Sequence, residues 1–431
     1  MMKIILRFLC LIQGLFLFGQ QSEPINSDTI PTYFEEIQNA AQKGFKLWNK
    51  NLYGSILLVD PKTQQVYSNE PNADNSLQLQ NKIYTGQLPD SMNIANTSVQ
   101  WSGKNWAMIM LPLPENHYER VNLLAHELFH RTQPSLGFVQ SNKESNHLDQ
   151  KDGRIYLRLE LEALKKAINS DSEKERKIHL ANAFIFRKYR NTLFPNSATF
   201  ENQLELNEGI AEYTGFIISG RNNDQAKKHL ISSIDTFFSN PTYVRSFAYH
   251  TVPVYGYLLS LKNNFWNQEV SANTNITDFF IKKFDINIPV NLKGAAEKNS
   301  NRYNGIQILK EEQVRENKIK KQIIEYQSKF IEQPHLEINF EKMNVSFDPR
   351  NILPIADKGI VYPNIRVTDN WGILEVKNGA LMSPDWSKIS VSIPTKTEEQ
   401  KVEGDGWTLL LKDRYTIKKD EKTNNYRIIK K

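Results

Sequence analysis

The sequence predicts an α+β protein whose C-terminal part is all-β. Three observations carry that expectation. Residues 31–114 read as one helix followed by short β-rich runs, residues 135–285 are dominated by helical spacing, and from residue 336 the chain changes to short alternating or β-branched runs. A chain of 431 residues, 39% hydrophobic and 24% charged, has the length for more than one core, because single cores rarely grow beyond about 250–300 residues. The predicted domains are a large mixed unit over 31–300, a connecting helix over 301–335 and a small β domain over 336–431.

The N-terminus reads "MMKIILRFLCLIQGLFLFGQQSEP". Lys3 and Arg7 precede an uncharged run from Phe8 to Phe18 and then a polar stretch, which is the order of a secretory signal peptide over residues 1–20. The run is shorter than the roughly 20 residues of a membrane span. The expectation is a secreted or periplasmic protein with no stable membrane span after cleavage. Cys10, the one cysteine, lies in this leader. The mature chain then has no thiol, which excludes disulfides and cysteine-held metal, points to a bacterial exported protein, and leaves histidine and carboxylate as the only strong metal ligands. Two of the 54 cations and none of the 48 acids lie in the leader, so the formal charge of +6 becomes +4. Charges are mixed along the chain and basic runs such as "KIKK" are short, which argues against a nucleic-acid partner.

From Pro31 to Lys50 the apolar positions Phe34, Ile37, Ala41, Phe45 and Trp48 predict one amphipathic helix. "SILLVDPKTQQVYSNE" predicts a hairpin turning at Asp60-Pro61-Lys62-Thr63. "TSVQWSG" and "WAMIMLPLP" are β-like, and Pro112 and Pro114 suggest that the second is an edge strand. "NLLAHELFHRTQP", 122–134, predicts a helix. Helices follow in "GRIYLRLELEALKKAI", "EKERKIHLANAFIFRKYRN", "ENQLELNEGIAEYTGFIISG", "NDQAKKHLISSIDTFFSN" and "ITDFFIKKF", each bounded by Asn, Ser, Pro or Gly. A charged helix is expected over 309–331.

His126 and His130 are four residues apart, one turn along a single helix face, so both imidazoles can reach one zinc ion at about 2.0–2.1 Å. Glu127, beside the first, falls where a carboxylate can act as general base toward a zinc-activated water. Val121, Leu124, Leu128 and Phe129 would draw this face into the interior, where buried histidines need partners. A catalytic zinc takes a third protein ligand. Glu160, Glu162 and Glu208 are the candidates; Glu208 is favoured because Glu212, four residues on, can accept the free ring N–H of a liganding histidine. His147-x-Asp149 is a pair without further ligands and reads as a loop. Tryptophans in the last domain, including "NWGILEV", read as core.

His126-Glu127-x-x-His130 followed by Asn207-Glu208-Gly209-Ile210-Ala211-Glu212-Tyr213 resembles the gluzincin metallopeptidases. The second segment is similar to the L-N-E-G-x-A-x-Y glutamate helix of the zinc aminopeptidase families. The resemblance covers roughly Pro31 to Asp285. It implies a zincin-like catalytic domain, a small sheet whose edge strand binds substrate plus a helical subdomain, with Zn²⁺ held by His126, His130 and Glu208. It further implies Glu127 as base and acid, Glu212 behind a ligand, and hydrolysis of a peptide or protein substrate. A Y-x-x-G segment of those aminopeptidases aligns Tyr249 as the oxyanion donor, with Val252 in place of the glycine; His250 and Tyr255 are alternatives. The chain departs from the family in two ways: 77 residues separate His130 from Glu208, and no G-x-M-E-N segment lies upstream of His126. A non-catalytic zincin-like binding protein, or a zinc hydrolase of other amides or esters, remains open at this point.

Overall fold

The computed structural model describes residues 26–89, 92–138, 145–348 and 351–431; the leader read over residues 1–20 lies outside them. The chain divides into two compact units between Ile308 and Leu309.

The first unit opens with α1 (Ile30–Lys43) and a single turn, α2 (Phe45–Trp48). The sequence had suggested one helix here. It breaks at Gly44, where a β-carbon would stand 2.8 Å from the side chain of Ile218, and ends at Asn49, which adopts a left-handed conformation. Six strands follow: β1 (Ile56–Val59), β2 (Gln65–Ser68), β3 (Gln78–Gln80), β4 (Ile83–Gln87), β5 (Thr97–Trp101) and β6 (Lys104–Met110), in the spatial order β3-β4-β2-β1-β6-β5. β1 and β2 form the expected hairpin, with the Asp60 carboxylate accepting from the Lys62 amide at 2.9 Å and the Thr63 hydroxyl at 2.8 Å. β6 is not an edge strand. It lies between β1 (parallel) and β5 (antiparallel), and the edge is β5. Pro112 and Pro114 fall beyond Met110, so neither has to donate to a ladder. β1 is buried on both faces: Ile56 and Leu58 join the main core, Leu57 and Val59 a smaller core on the opposite face with Trp106 and Met108.

α3 (His117–Thr132) packs on β6 and β5. Its first turn is capped by the Asn116 side chain, which accepts from the amides of Tyr118 and Glu119. The helices read from periodicity appear as α4 (Lys151–Asn169), α5 (Glu173–Leu193), α6 (Ser197–Leu204), α7 (Ile210–Ile218), α8 (Asn223–Phe237) and α10 (Ile276–Lys283); α9 (Ala248–Ser260) was not among them. Two departures matter for the site. The segment Glu205–Gly209 between α6 and α7 is π-helical, the Ile210 amide donating to the Glu205 carbonyl five residues back. Helix α9 carries Pro253 in its interior, which hid it from a periodicity reading. α11 (Leu292–Ser300) extends the helical run past residue 285, where its spacing had been read to end.

The second unit begins within α12 (Gly305–Gln327), which runs into a π-helical turn, Ser328–Glu332. Thirteen strands from His335–Asn339 to Tyr426–Lys430 then form a seven-stranded and a six-stranded sheet. Their facing sides share one core, in which Trp371 donates to the Asn339 carbonyl at 3.2 Å and Trp407 to the Ser392 hydroxyl at 2.9 Å. Both indoles are buried, as their reading as core required, whereas the third tryptophan of this unit, Trp386, is only half-buried against the same core. Phe330 covers Ile355, Val361 and Leu381 on the other side of the seven-stranded sheet. No helix among the described residues is long and apolar enough to cross a membrane.

Candidate metal centre

His126 and His130 point from α3 toward Glu208 in the π-helical turn, and these three make the one group found among the described residues that could hold a metal ion. The His126 and His130 Nε2 atoms are 2.9 Å apart, and Glu208 Oε2 is 3.5 Å from the first and 3.2 Å from the second. Ligand atoms about 2.0–2.1 Å from a tetrahedral zinc stand about 3.3 Å from one another, so the spacing suits such an ion.

The atoms behind the rings fix what these nitrogens are. His126 Nδ1 meets Glu212 Oε2 at 2.9 Å, and the other Glu212 oxygen accepts from Asn122 Nδ2 at 2.9 Å. His130 Nδ1 meets Gln133 Oε1 at 2.8 Å; Gln133 Nε2 donates to the Asn207 carbonyl at 2.7 Å, which settles the orientation of that amide. Each Nδ1 therefore faces an oxygen that only accepts, and carries the hydrogen. Neutral rings then turn two lone pairs and a carboxylate oxygen toward one point, an arrangement that demands a cation. A proton would also meet that demand: burial opposes charge on His126, but hydrogen bonds to Glu208 and Glu212 outweigh it and raise the ring to about 10.

Glu127 is fully buried, and neither carboxylate oxygen has a hydrogen-bond partner among the described residues. Burial pushes its carboxyl up to about 7, with the Glu208 and Glu212 charges adding to the effect and the two imidazoles opposing it. An uncompensated buried carboxylate costs on the order of several kcal/mol, so the position is one that a bound species rather than the fold would satisfy. Tyr249, on α9, stacks on His126 with ring planes 6° apart, and its hydroxyl donates to Glu208 Oε2. Asn207 Nδ2 holds Glu208 Oε1 at 2.8 Å.

The remaining candidates are engaged elsewhere. Glu160 accepts from Arg187 and Arg190 at 2.8 Å each and from the Tyr255 hydroxyl at 2.9 Å, which removes both Glu160 and Tyr255 from the site. Glu162 pairs with Lys165 at 2.8 Å. His250 pairs with the Ser233 hydroxyl at 2.8 Å and stacks on Phe237; desolvation pushes it down to about 4, so it is neutral. His147 binds Glu201 at 2.7 Å, and Asp149 accepts from the Tyr243 amide at 2.9 Å, each within the fold. Gln133 and Asn122 were not found from sequence. Both sit at helical spacing from a histidine, three after His130 and four before His126, but an amide at such a position has no distinguishing pattern.

Two glycines set the spacing between the parts. A β-carbon on Gly209 would come within 2.5 Å of Val252 and 3.1 Å of the Ala248 carbonyl, so this residue lets α9 bring Tyr249 onto Glu208. On Gly215 it would stand 2.4 Å from the Asn122 carbonyl of α3, a backbone atom that cannot swing aside. Gly215→Ala should therefore part α3 from α7 and cost about 1–3 kcal/mol, as overpacking does. Thermal unfolding measures this, and a melting temperature equal to the wild type's would show that the two helices are not held at contact.

Comparison with protein-family models, curated proteins and solved structures finds no match.

Proposed function

We propose that the chain is an exported zinc metallopeptidase of gluzincin type, with a zincin-like catalytic unit over 31–300. The observation that carries this reading is Glu127: a buried carboxylate with no hydrogen-bond partner among the described residues, next to His126 in sequence and interacting electrostatically with His126, His130 and Glu208, which would serve as general base toward water. His126, His130 and Glu208 would hold the ion. Zinc, when bound there, supplies a Lewis acid that polarises a scissile carbonyl and lowers the pKa of water. Glu127 would take the proton from that water on a carboxylate oxygen and return it to the leaving amine. Tyr249 is the one of the three candidate donors whose hydroxyl lies at the ligand set, and it would turn from Glu208 to the developing oxyanion. Glu212 keeps the hydrogen of His126 on Nδ1. The free edge of β5, beside α3, offers a strand on which an extended peptide can add by main-chain hydrogen bonds.

A second reading is favoured by one observation. His126, Glu127 and Glu208 are each at most 2% exposed, and structural zinc sites are closed whereas catalytic ones keep an open position. On that reading the unit is a non-catalytic binding protein with a structural ion. A quenched-fluorescence peptide library separates the two. The peptidase reading expects hydrolysis that a chelator abolishes and added zinc restores; a zinc-loaded, folded protein that cleaves no peptide would leave the binding-protein reading.

A further inference from the structure

We infer that Gln133 is a positioning residue for the metal centre, acting through His130 and, by way of Asn207, through Glu208. The inference rests on the metal-site reading above. Gln133 is 1% exposed and is the first residue past α3, in a 3₁₀ turn that Pro134 continues. Its amide is used at both ends, accepting from His130 Nδ1 at 2.8 Å and donating to the Asn207 carbonyl at 2.7 Å. Asn207 in turn donates from Nδ2 to Glu208 Oε1 at 2.8 Å. A chain of three hydrogen bonds, running behind the ligand atoms, thus joins one ligand to another across 78 residues of sequence.

The two histidines take different partners for a reason that lies behind each partner. Behind Glu212 stands Asn122 Nδ2, a donor, so a carboxylate with an acceptor at each end fits between it and His126. Behind Gln133 stands a backbone carbonyl, an acceptor, so the group between it and His130 must accept at one end and donate at the other. An amide does both at that length, and an ionised carboxylate does not. A glutamate at 133 would set an oxygen against the Asn207 carbonyl. It would also add a carboxylate charge to a site that already holds Glu127, Glu208 and Glu212. Gln133 therefore fixes His130 with Nε2 toward the ligand set. At the same time it holds the π-helical turn at the distance where Glu208 reaches that nitrogen.

Two variants of nearly unchanged length test this in the full chain. Gln133→Met removes both bonds; Gln133→Glu keeps the acceptor for His130 and breaks the bond to Asn207. Zinc affinity, read by competition with a chromophoric chelator, should fall about 10–100-fold in each, the range for partners that orient a ligand. A purely structural role would lower the melting temperature of the zinc-free protein and leave zinc competition within about twofold of wild type, which would overturn the inference. Loss in Gln133→Met with none in Gln133→Glu would overturn the link through Asn207. Should either variant fail to fold, nitrogen-15 spectra of zinc-loaded wild type decide: a protonated Nδ1 on His130 is expected, and a metal-bound Nδ1 would refute it. A wild type that binds no zinc would instead overturn the metal-site reading, and this inference with it.

Discussion

Glu127→Gln should bind zinc as the wild type does and lose about 10²–10⁴-fold in peptide hydrolysis, the contribution of a positioned general base. The substitution changes little else. Glu127 makes no hydrogen bond among the described residues, so no partner is orphaned, and a neutral amide of the same shape is easier to bury than a carboxylate. The variant should accordingly be as stable as the wild type or somewhat more so. That combination of undiminished stability, undiminished zinc and lost turnover is specific to a catalytic carboxylate. Retained hydrolysis in a zinc-loaded Glu127→Gln would remove Glu127 from the mechanism, whatever became of the metal.

The second large effect lies behind the site. Arg187 and Arg190 of α5 are buried among Glu160 from α4, Glu201 from α6 and Glu205, the first residue of the π-helical turn. Arg187 donates to Glu160 at 2.8 Å, clasps both oxygens of Glu205 at 2.7 and 2.9 Å, and reaches the Thr277 hydroxyl at 2.9 Å. Arg190 spans Glu160 at 2.8 Å and both oxygens of Glu201 at 2.6 and 2.9 Å. Burial raises the Glu205 carboxyl even against Arg187, whereas Arg190, Arg187 and His147 together overcome burial at Glu201 and hold it well below the usual range. Arg187→Met leaves Glu205 and part of Glu160 buried without their cation, and should cost about 3–5 kcal/mol. Arg187→Lys should recover little, because an ammonium cannot grip two carboxylates in the planar fork that the guanidinium presents. Denaturant unfolding measures both, and a loss below about 1 kcal/mol would mean the cluster does not hold α5 to the turn. Since Glu205 starts the turn that bears Glu208, zinc affinity should fall in parallel.

How much of this was legible in the sequence depends on whether the information is local. The pair His126 and His130, and the pair Glu208 and Glu212, are each spaced by one helical turn, so their shared faces could be read directly. Bringing the two pairs together is a tertiary fact, anticipated only by the argument that Glu212 could accept a ring N–H of a liganding histidine and by what the resemblance implies. Glu160, the rival of Glu208, is engaged by two arginines 27 and 30 residues after it, whose pairing no local pattern announces. Gln133 was invisible for the same reason: its meaning comes from a carbonyl 74 residues away. Where local signals misled, prolines and one glycine were responsible. Pro112 and Pro114 marked β6 as an edge although they lie past its last rung. Pro253 concealed α9, and the small side of Gly44 ended a helix whose apolar spacing ran on to Trp48. The mixed helix-and-sheet first unit and the all-strand region from His335 onward were both readable, because period and composition change along the chain.

Positive charge at the convergence of His126, His130 and Glu208 is expected to be a metal ion rather than a proton. Metal content of the purified protein, by inductively coupled plasma mass spectrometry beside Glu208→Ala, distinguishes the two. The expected result is about one zinc per chain in the wild type, the single site that a three-ligand tetrahedral centre allows, and none in the variant. No zinc in a folded wild type, even after reconstitution, would contradict the account and leave His126 and His130 as a buried, proton-sharing pair.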